Sequence, residues 1–278
     1  MHDSERLPAA ILICHRHDRL DSEGLASWLA ATMRLAGIVE IDGDGGRRLR
    51  VARRELRRNG LARFLDVLAF RVYARLRLAR ADAEWTKAEL ARLRRRFPAE
   101  LASIPRCLVD NPNDARARAF IARWQPDLIV ARCKFILKPE IFTLARAGAY
   151  ALHPGICPEY RNAHGCFWAL VNRDVDRVGM TLLRIDRGVD TGPALLHATC
   201  GFDEVRESHY VIQQRVVFEN LARIGQALLA AGRGEPVETI DTRGRASAVW
   251  GQPGLTSYLR WKRAARRDRH NARLSAVS

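Results

Sequence analysis

Two loops hold the residue types that general acid–base chemistry uses. The first runs from His153 to Gly165 (HPGICPEYRNAHG) and the second from Asp186 to Gly192 (DRGVDTG), and each follows an apolar run. A histidine at the end of one strand and an aspartate beyond a neighbouring strand can meet over a pocket. There the carboxylate orients the imidazole and favours its protonated form. His153 and Asp190 are such a pair, 37 positions apart in the chain. Taken singly, each loop reads as well as a histidine capping a strand and an aspartate making a tight turn. The elements around them decide.

Those elements alternate. Ala9 to Cys14 is an apolar run suited to a buried first strand, and DSEGLASWLAATMRLAG follows with helical periodicity and a glycine stop at Gly37. Strands are expected at residues 37–41, 106–109, 127–131 and 149–152. Helices are expected at NPNDARARAFIARWQ, capped by Asn or Asp, and at KPEIFTLARAG, ending at Gly148. Beyond the first loop come a short helix at 166–172, strands at 178–185 and 193–200, and one long amphipathic helix over 209–231. Alternation of this kind predicts an α/β protein with a doubly wound, mainly parallel sheet, and such sheets bind ligands at the carboxyl edge of their strands. The loop after Leu152 is the place to look.

The chain has 278 residues and a formal charge of +16, and the charge is concentrated. Residues 47–96 hold 17 Lys and Arg against 5 Asp and Glu, and residues 260–273 hold 7 against 1. The first segment spaces Leu61, Phe64, Leu65, Leu68 and Val72 at helical intervals and breaks near Asn59-Gly60, so it reads as basic amphipathic helices. Such helices suit RNA, an anionic surface or a phosphorylated substrate; a solvated face in an arginine-rich chain is the plainer reading. The tail from 260 is expected to be a disordered basic extension. No run approaches the roughly 20 apolar residues that span a bilayer, and the start lacks the form of a secretory signal, so a cytoplasmic location is expected. The six scattered cysteines suggest reduced, mostly buried thiols rather than disulfides or a zinc ribbon.

The segments PDLIVARCKFILKPEIF, HPGICPEYRNAHGCFWAL and GMTLLRIDRGVDTG together resemble the folate-dependent formyltransferases. That family includes the glycinamide ribonucleotide and sugar-nucleotide enzymes and the amino-terminal domain of the methionyl-tRNA enzymes. The likeness covers about 107–200 well; upstream it is one of element order only. It implies a Rossmann-like formyltransferase fold with a basic helical insert at 47–100, a catalytic domain over 1–232, and a polar basic extension over 233–278. It also implies an enzyme that moves a formyl group from 10-formyltetrahydrofolate to a primary amine, with His153 and Asp190 as catalytic residues. Lys134, Phe135, Ile136 and Leu137 fall where relatives line the pteridine pocket, and Asp186 and Gly188 fall on its other wall.

One position departs from the family. Its asparagine, an oxyanion donor two residues before the histidine, is Ala151 here. Losing one such donor costs on the order of a hundredfold to a thousandfold in rate. Asn162 and His164 are the candidate substitutes, since many relatives carry Arg-Gly at 161 and 162. The other outcomes are a slow enzyme, or a folate- or RNA-binding protein of the same fold with weak catalysis. Among acceptors, an amino sugar nucleotide suits the chain best. A methionyl-tRNA acceptor suits the charge, yet the tRNA enzymes carry a carboxy-terminal β-barrel for which the region after 232 is too short and polar. The acceptor and the oligomeric state stay open. Three lesser motifs carry little: Asp190-Thr191-Gly192 lacks the second aspartic-protease carboxylate, Cys14-His15-Arg16-His17 lacks zinc-ligand spacing, and residues 42–46 lack the Walker lysine and read as a plain turn.

Overall fold

Along the first strand, alternate residues enter different cores. Ala10, Leu12 and Cys14 join one apolar layer, and Ile11 and Ile13 join another on the opposite face. Such a strand is buried on both sides, as a central parallel strand must be. The computed structural model describes residues 6–43 and 47–275, with side chains outside 47–59. In chain order it runs β1 (Ala9–His15), a π-helical turn (Leu20–Leu25) continuing into α1 (Ala26–Thr32), β2 (Arg34–Ile41), α2 (Arg47–Tyr73) and α3 (Ala79–Arg96). Next come β3 (Arg106–Val109), α4 (Ala115–Trp124), β4 (Leu128–Arg132), α5 (Pro139–Phe142) and β5 (Gly148–His153). The remainder is β6 (Arg161–Asn162), α6 (Gly165–Val171), β7 (Gly179–Arg184), β8 (Ala194–Thr199), α7 (His209–Phe218), α8 (Leu221–Gly232), β9 (Val249–Trp250) and α9 (Leu255–Ser275).

Seven strands form one sheet in the order β3-β2-β1-β4-β5-β7-β8, with β6 and β9 paired apart from it. The first five positions are parallel, and β7 and β8 add antiparallel to β5. The chain winds outward through β2 and β3, then returns to lay β4 and β5 on the other side of β1. The winding therefore reverses between β1 and β4, where a doubly wound sheet opens a crevice at its carboxyl edge.

Three expected boundaries move. Gly37 sits inside β2 and does not end a helix; a Cβ there would stand 2.7 Å from the Phe120 ring, so the glycine serves close packing of α4 on the strand. The helix expected to reach Gly148 is only α5, after which the chain turns into β5. The long helix over 209–231 is two, because the Asn220 amide donates to the carbonyls of Thr199 and Val216 and bends the chain between α7 and α8.

The tail expected to be disordered is α9. Tyr258, Trp261 and Ala265 recur every three or four residues and are buried. That short apolar stripe outweighs the arginines around it, because burying such side chains contributes roughly 1.5–3 kcal/mol each. The break near Gly60 is present, with Gly60 at φ 75° inside α2, a conformation glycine adopts without a Cβ penalty. Phe70 on α2 packs against Phe167 and Tyr258, which seats the helix on α6 and α9. Of the turn expected at 42–46, residues 44–46 lie outside the described residues.

Candidate functional site at the carboxyl edge of the sheet

His153 ends β5 two residues after Ala151, so both project from the same face as Ala149. Its ring is 6 % exposed, with Nδ1 3.4 Å from Asp190 Oδ2 and Nε2 2.8 Å from the Tyr160 carbonyl oxygen. A carbonyl only accepts, so Nε2 carries the hydrogen and donates it. The two loops picked out by the sequence thus meet at one imidazole.

The loop between His153 and α6 is folded tightly on itself. A Cβ at Gly155 would stand 2.5 Å from the Tyr160 carbonyl oxygen and 2.7 Å from His153 Nε2, so no other residue leaves the ring where it is. The buried Thr181 hydroxyl, opposite His153 on β7, donates to the Gly155 carbonyl at 2.7 Å and accepts from Cys157 N at 3.0 Å. Nothing in the sequence marked Thr181; its role depends on the antiparallel register of β7.

Asn162 joins the pair. Its backbone N–H donates to Asp190 Oδ2 at 2.7 Å, and its side-chain amide donates to the Trp250 carbonyl at 2.6 Å. Asn162 and Asp190 adopt φ of 74° and 51°, left-handed conformations that asparagine and aspartate tolerate better than most residues.

The wall behind Asn162 comes from the polar extension. β9 pairs in parallel with β6, Trp250 stacks on Trp168 with ring centroids 4.9 Å apart, and Trp168 Nε1 donates to the Gly251 carbonyl at 2.9 Å. Trp250 could have been noticed as an aromatic residue in an otherwise polar stretch, but its partner could not.

His164 keeps different company from His153. Its ring lies 5.9 Å from that of His209, with Gln213 and Gln252 beside it, and burial pushes its pKa down to about 4. His209, enclosed by Phe70 and Phe167, is pushed down by burial to about 3. Both rings must gain a proton when the chain unfolds below the ordinary histidine range. The unfolded state then binds more protons, and stability falls as pH drops from about 6.5 toward 4. His209→Phe is expected to flatten that part of the profile by about one proton's slope, as read by urea unfolding at a series of pH values.

The segment after β4 is braced from two sides. Lys134 N donates to His15 Nε2 at 3.1 Å, Asn113 Oδ1 accepts from Lys138 N at 2.7 Å, and the Asn113 amide donates to the Ile136 carbonyl at 3.0 Å. Leu137 is buried, Phe135 lies 6.1 Å from the His15 ring, and Ile136 is left 59 % exposed. In the other loop Asp186 Oδ1 accepts from Gly188 N at 2.9 Å and from the Thr191 hydroxyl at 2.8 Å, so Asp186 shapes the turn that carries Asp190. A cavity of about 860 Å³ lined by Arg6, Asp127, Arg146 and Arg184 opens at the opposite end of the parallel strands and takes no part in this cluster.

A family model described as formyl transferase matches residues 85–228. The methionyl-tRNA formyltransferase of Chlorobium chlorochromatii (strain CaD3) is 30 % identical over 166 residues, which take in 53 % of this chain and 50 % of that protein. The GDP-perosamine N-formyltransferase of Brucella melitensis biotype 1 is 25 % identical over 118 residues, 42 % of this chain and 45 % of that one. The chain thus spans about half the length of the curated relatives it matches. Among solved structures, a 4-N formyltransferase from Francisella tularensis superposes with a TM-score of 0.54 at 9 % identity, covering 93 % of this chain and 87 % of that one. Glycinamide ribonucleotide transformylase 1 from Symbiobacterium toebii gives 0.52 at 16 % identity, covering 87 % and 93 %. At such identities the likeness is one of fold. The sequence match extends over more than half of the chain and includes both loops that meet at His153; the chain belongs to the formyl transferase family.

Proposed function

We propose that the protein transfers the formyl group of 10-formyltetrahydrofolate to a primary amine, and that this amine belongs to an amino sugar carried on a nucleotide. The observation that carries the reading is the approach of Asp190 to His153 within the segment that the family model matches. The acceptor class draws support from a relative named for a nucleotide-linked amino sugar.

The folate, when bound, supplies an electrophilic formyl carbon and a nitrogen that can leave. Residues 134–137 and the 186–188 turn suit such a ligand in kind: one is a braced segment that leaves the apolar Ile136 exposed, the other a polar turn. His153 holds a proton at Nε2, and Asp190 faces Nδ1, so the ring can carry positive charge while charge builds on the formyl oxygen. Both nitrogens already have partners. To present an N–H to the acceptor, His153 must give up the Tyr160 carbonyl or the Asp190 carboxylate. One hydrogen of the Asn162 amide goes to Trp250; the second is left for the donor role that Ala151 lacks.

Asn162→Gly isolates that role, because glycine accepts φ 74° without strain. The variant is expected to lower kcat by about tenfold to a thousandfold, with at most the small drop in melting temperature that loss of the Trp250 bond brings. Unchanged turnover would remove Asn162 from the reaction. The acceptor is tested by tetrahydrofolate release across a panel of nucleotide-linked amino sugars, with methionyl-tRNA alongside. The tRNA reading is favoured by the basic helices α2 and α3 and by the relative named for that substrate. Release with methionyl-tRNA and with no sugar would replace the first reading by the second.

A further inference from the structure

We infer that the outer face of α2 is a docking surface for an anionic lipid bilayer. Leu61, Leu65, Leu68 and Val72 on α2, and Leu76 in the π-helical turn that continues it (Ala74–Leu78), are each 45–75 % exposed, and they follow one another at intervals of four, three, four and four residues. Such spacing lines one side of a helix over ~22 Å at 1.5 Å per residue. The opposite side of the same helix is already used: Val67 and Phe70 are buried against the core. The helix therefore has two apolar faces, and the fold covers only one. Five large aliphatic side chains are held in water by a helix that cannot rotate to hide them.

The charges beside the stripe are of one sign. Arg71, Arg75 and Arg77 are exposed beside it and make no ion pair among the described residues. The carboxylates along this stretch are taken, Asp66 by Arg63 at 2.9 Å, Asp82 by the Ser208 hydroxyl at 2.6 Å and Glu84 by Arg80 at 3.0 Å. In sequence, residues 47–58, before the break at Gly60, hold seven arginines against one glutamate.

This combination selects its partner. RNA would answer the arginines through its phosphates but leave five aliphatic side chains without a use, since the stripe has no aromatic residue on which an unpaired base could stack. A second copy would cover the aliphatics but set arginine rows against each other with no spare carboxylate between them. An anionic bilayer answers both: the aliphatic side chains enter the boundary between headgroups and acyl chains, and the guanidinium groups meet lipid phosphates.

The surface is joined to the wall of the candidate site. Arg63 donates to the Gln252 carbonyl at 2.7 Å and lies 5.6 Å from the centroid of the Trp168 ring. A protein docked through α2 therefore holds that wall at a fixed place relative to the bilayer. The inference rests on exposure and charge, and it stands whichever amine the enzyme formylates.

The test is vesicle flotation of the full chain, using phosphatidylcholine alone and phosphatidylcholine mixed with phosphatidylglycerol. The wild type is expected to float with the mixed vesicles at least ~10-fold more than with neutral ones, and less so as salt rises. Leu65→Glu with Leu68→Glu is expected to abolish flotation without shifting the melting temperature, because both side chains are already in water. Arg71→Glu with Arg75→Glu is expected to remove the preference for the anionic lipid.

Failure of the wild type to float would overturn the inference. So would a wild type that sediments as a dimer and becomes a monomer in the Leu65/Leu68 variant, which assigns the face to a second copy. So would salt-sensitive RNA retention without flotation, unaffected by the leucine changes.

Discussion

His153→Ala is expected to reduce tetrahydrofolate release from 10-formyltetrahydrofolate by about two to four orders of magnitude while folate binding persists. The size of the effect follows from what the ring does at once. It carries a proton at Nε2, faces a carboxylate at Nδ1, and ends the strand at the carboxyl edge where a doubly wound sheet opens its crevice. Removing it deletes both the charge that can oppose a developing oxyanion and the group that can pass a proton between amine and leaving nitrogen. The Tyr160 carbonyl also loses its donor, so the melting temperature must be measured beside the rate. Thr181 and Gly155 hold the loop independently, and only a modest drop is expected. Turnover within a few-fold of wild type, with the fold intact, would remove His153 from the reaction and the proposed function with it.

The second large effect is on stability. Asp21, at the start of the first helix, pairs with Arg132 at the end of β4, and the two side chains are 5 % and 9 % exposed. Arg132 also donates to the Gln214 amide oxygen and lies 5.1 Å from the Phe218 ring centroid. Asp21→Ala leaves the guanidinium buried with no counter-charge, and a loss of about 3–5 kcal/mol in unfolding free energy is expected by urea titration about two pH units above the carboxyl's titration near 7, where the pair is fully charged. A loss below about 1 kcal/mol would show that water reaches the pair.

Burial pushes the Asp21 carboxyl up to about 7 against the pull of Arg132. Between its ordinary value near 4 and about 7 the folded state therefore binds more protons than the unfolded one, so this group's contribution falls as pH rises. That is opposite in sign to the contribution of His164 and His209 over much of the same interval. Asp21→Asn and His209→Phe should accordingly tilt the stability profile in opposite directions.

The elements of the sheet were legible because burial on two faces leaves near-continuous apolar runs, as at residues 9–14 and 128–131. Boundaries were less so. Gly37 looks like a helix stop until Phe120 is seen against it, and the 209–231 helix looks continuous until Asn220 finds the Thr199 carbonyl. Both depend on partners more than twenty residues away. The tail misled for a different reason: seven basic residues between 260 and 273 dominate any count, while Tyr258, Trp261 and Ala265 decide the energy.

By itself the sequence determined which side chains are available for chemistry: His153 and Asp190 at the ends of apolar runs, an asparagine at 162 and an alanine at 151. Their residue types set what protons they can hold and what bonds they can donate. Tertiary structure decided which of them act on one another. It brought Asp190 and Asn162 to His153, grouped His164 with His209, and supplied the Thr181 hydroxyl and Trp250, whose partners no local pattern names. Contacts between strands and loops far apart in the chain depend on register and winding, and neither is written in the local pattern of residues.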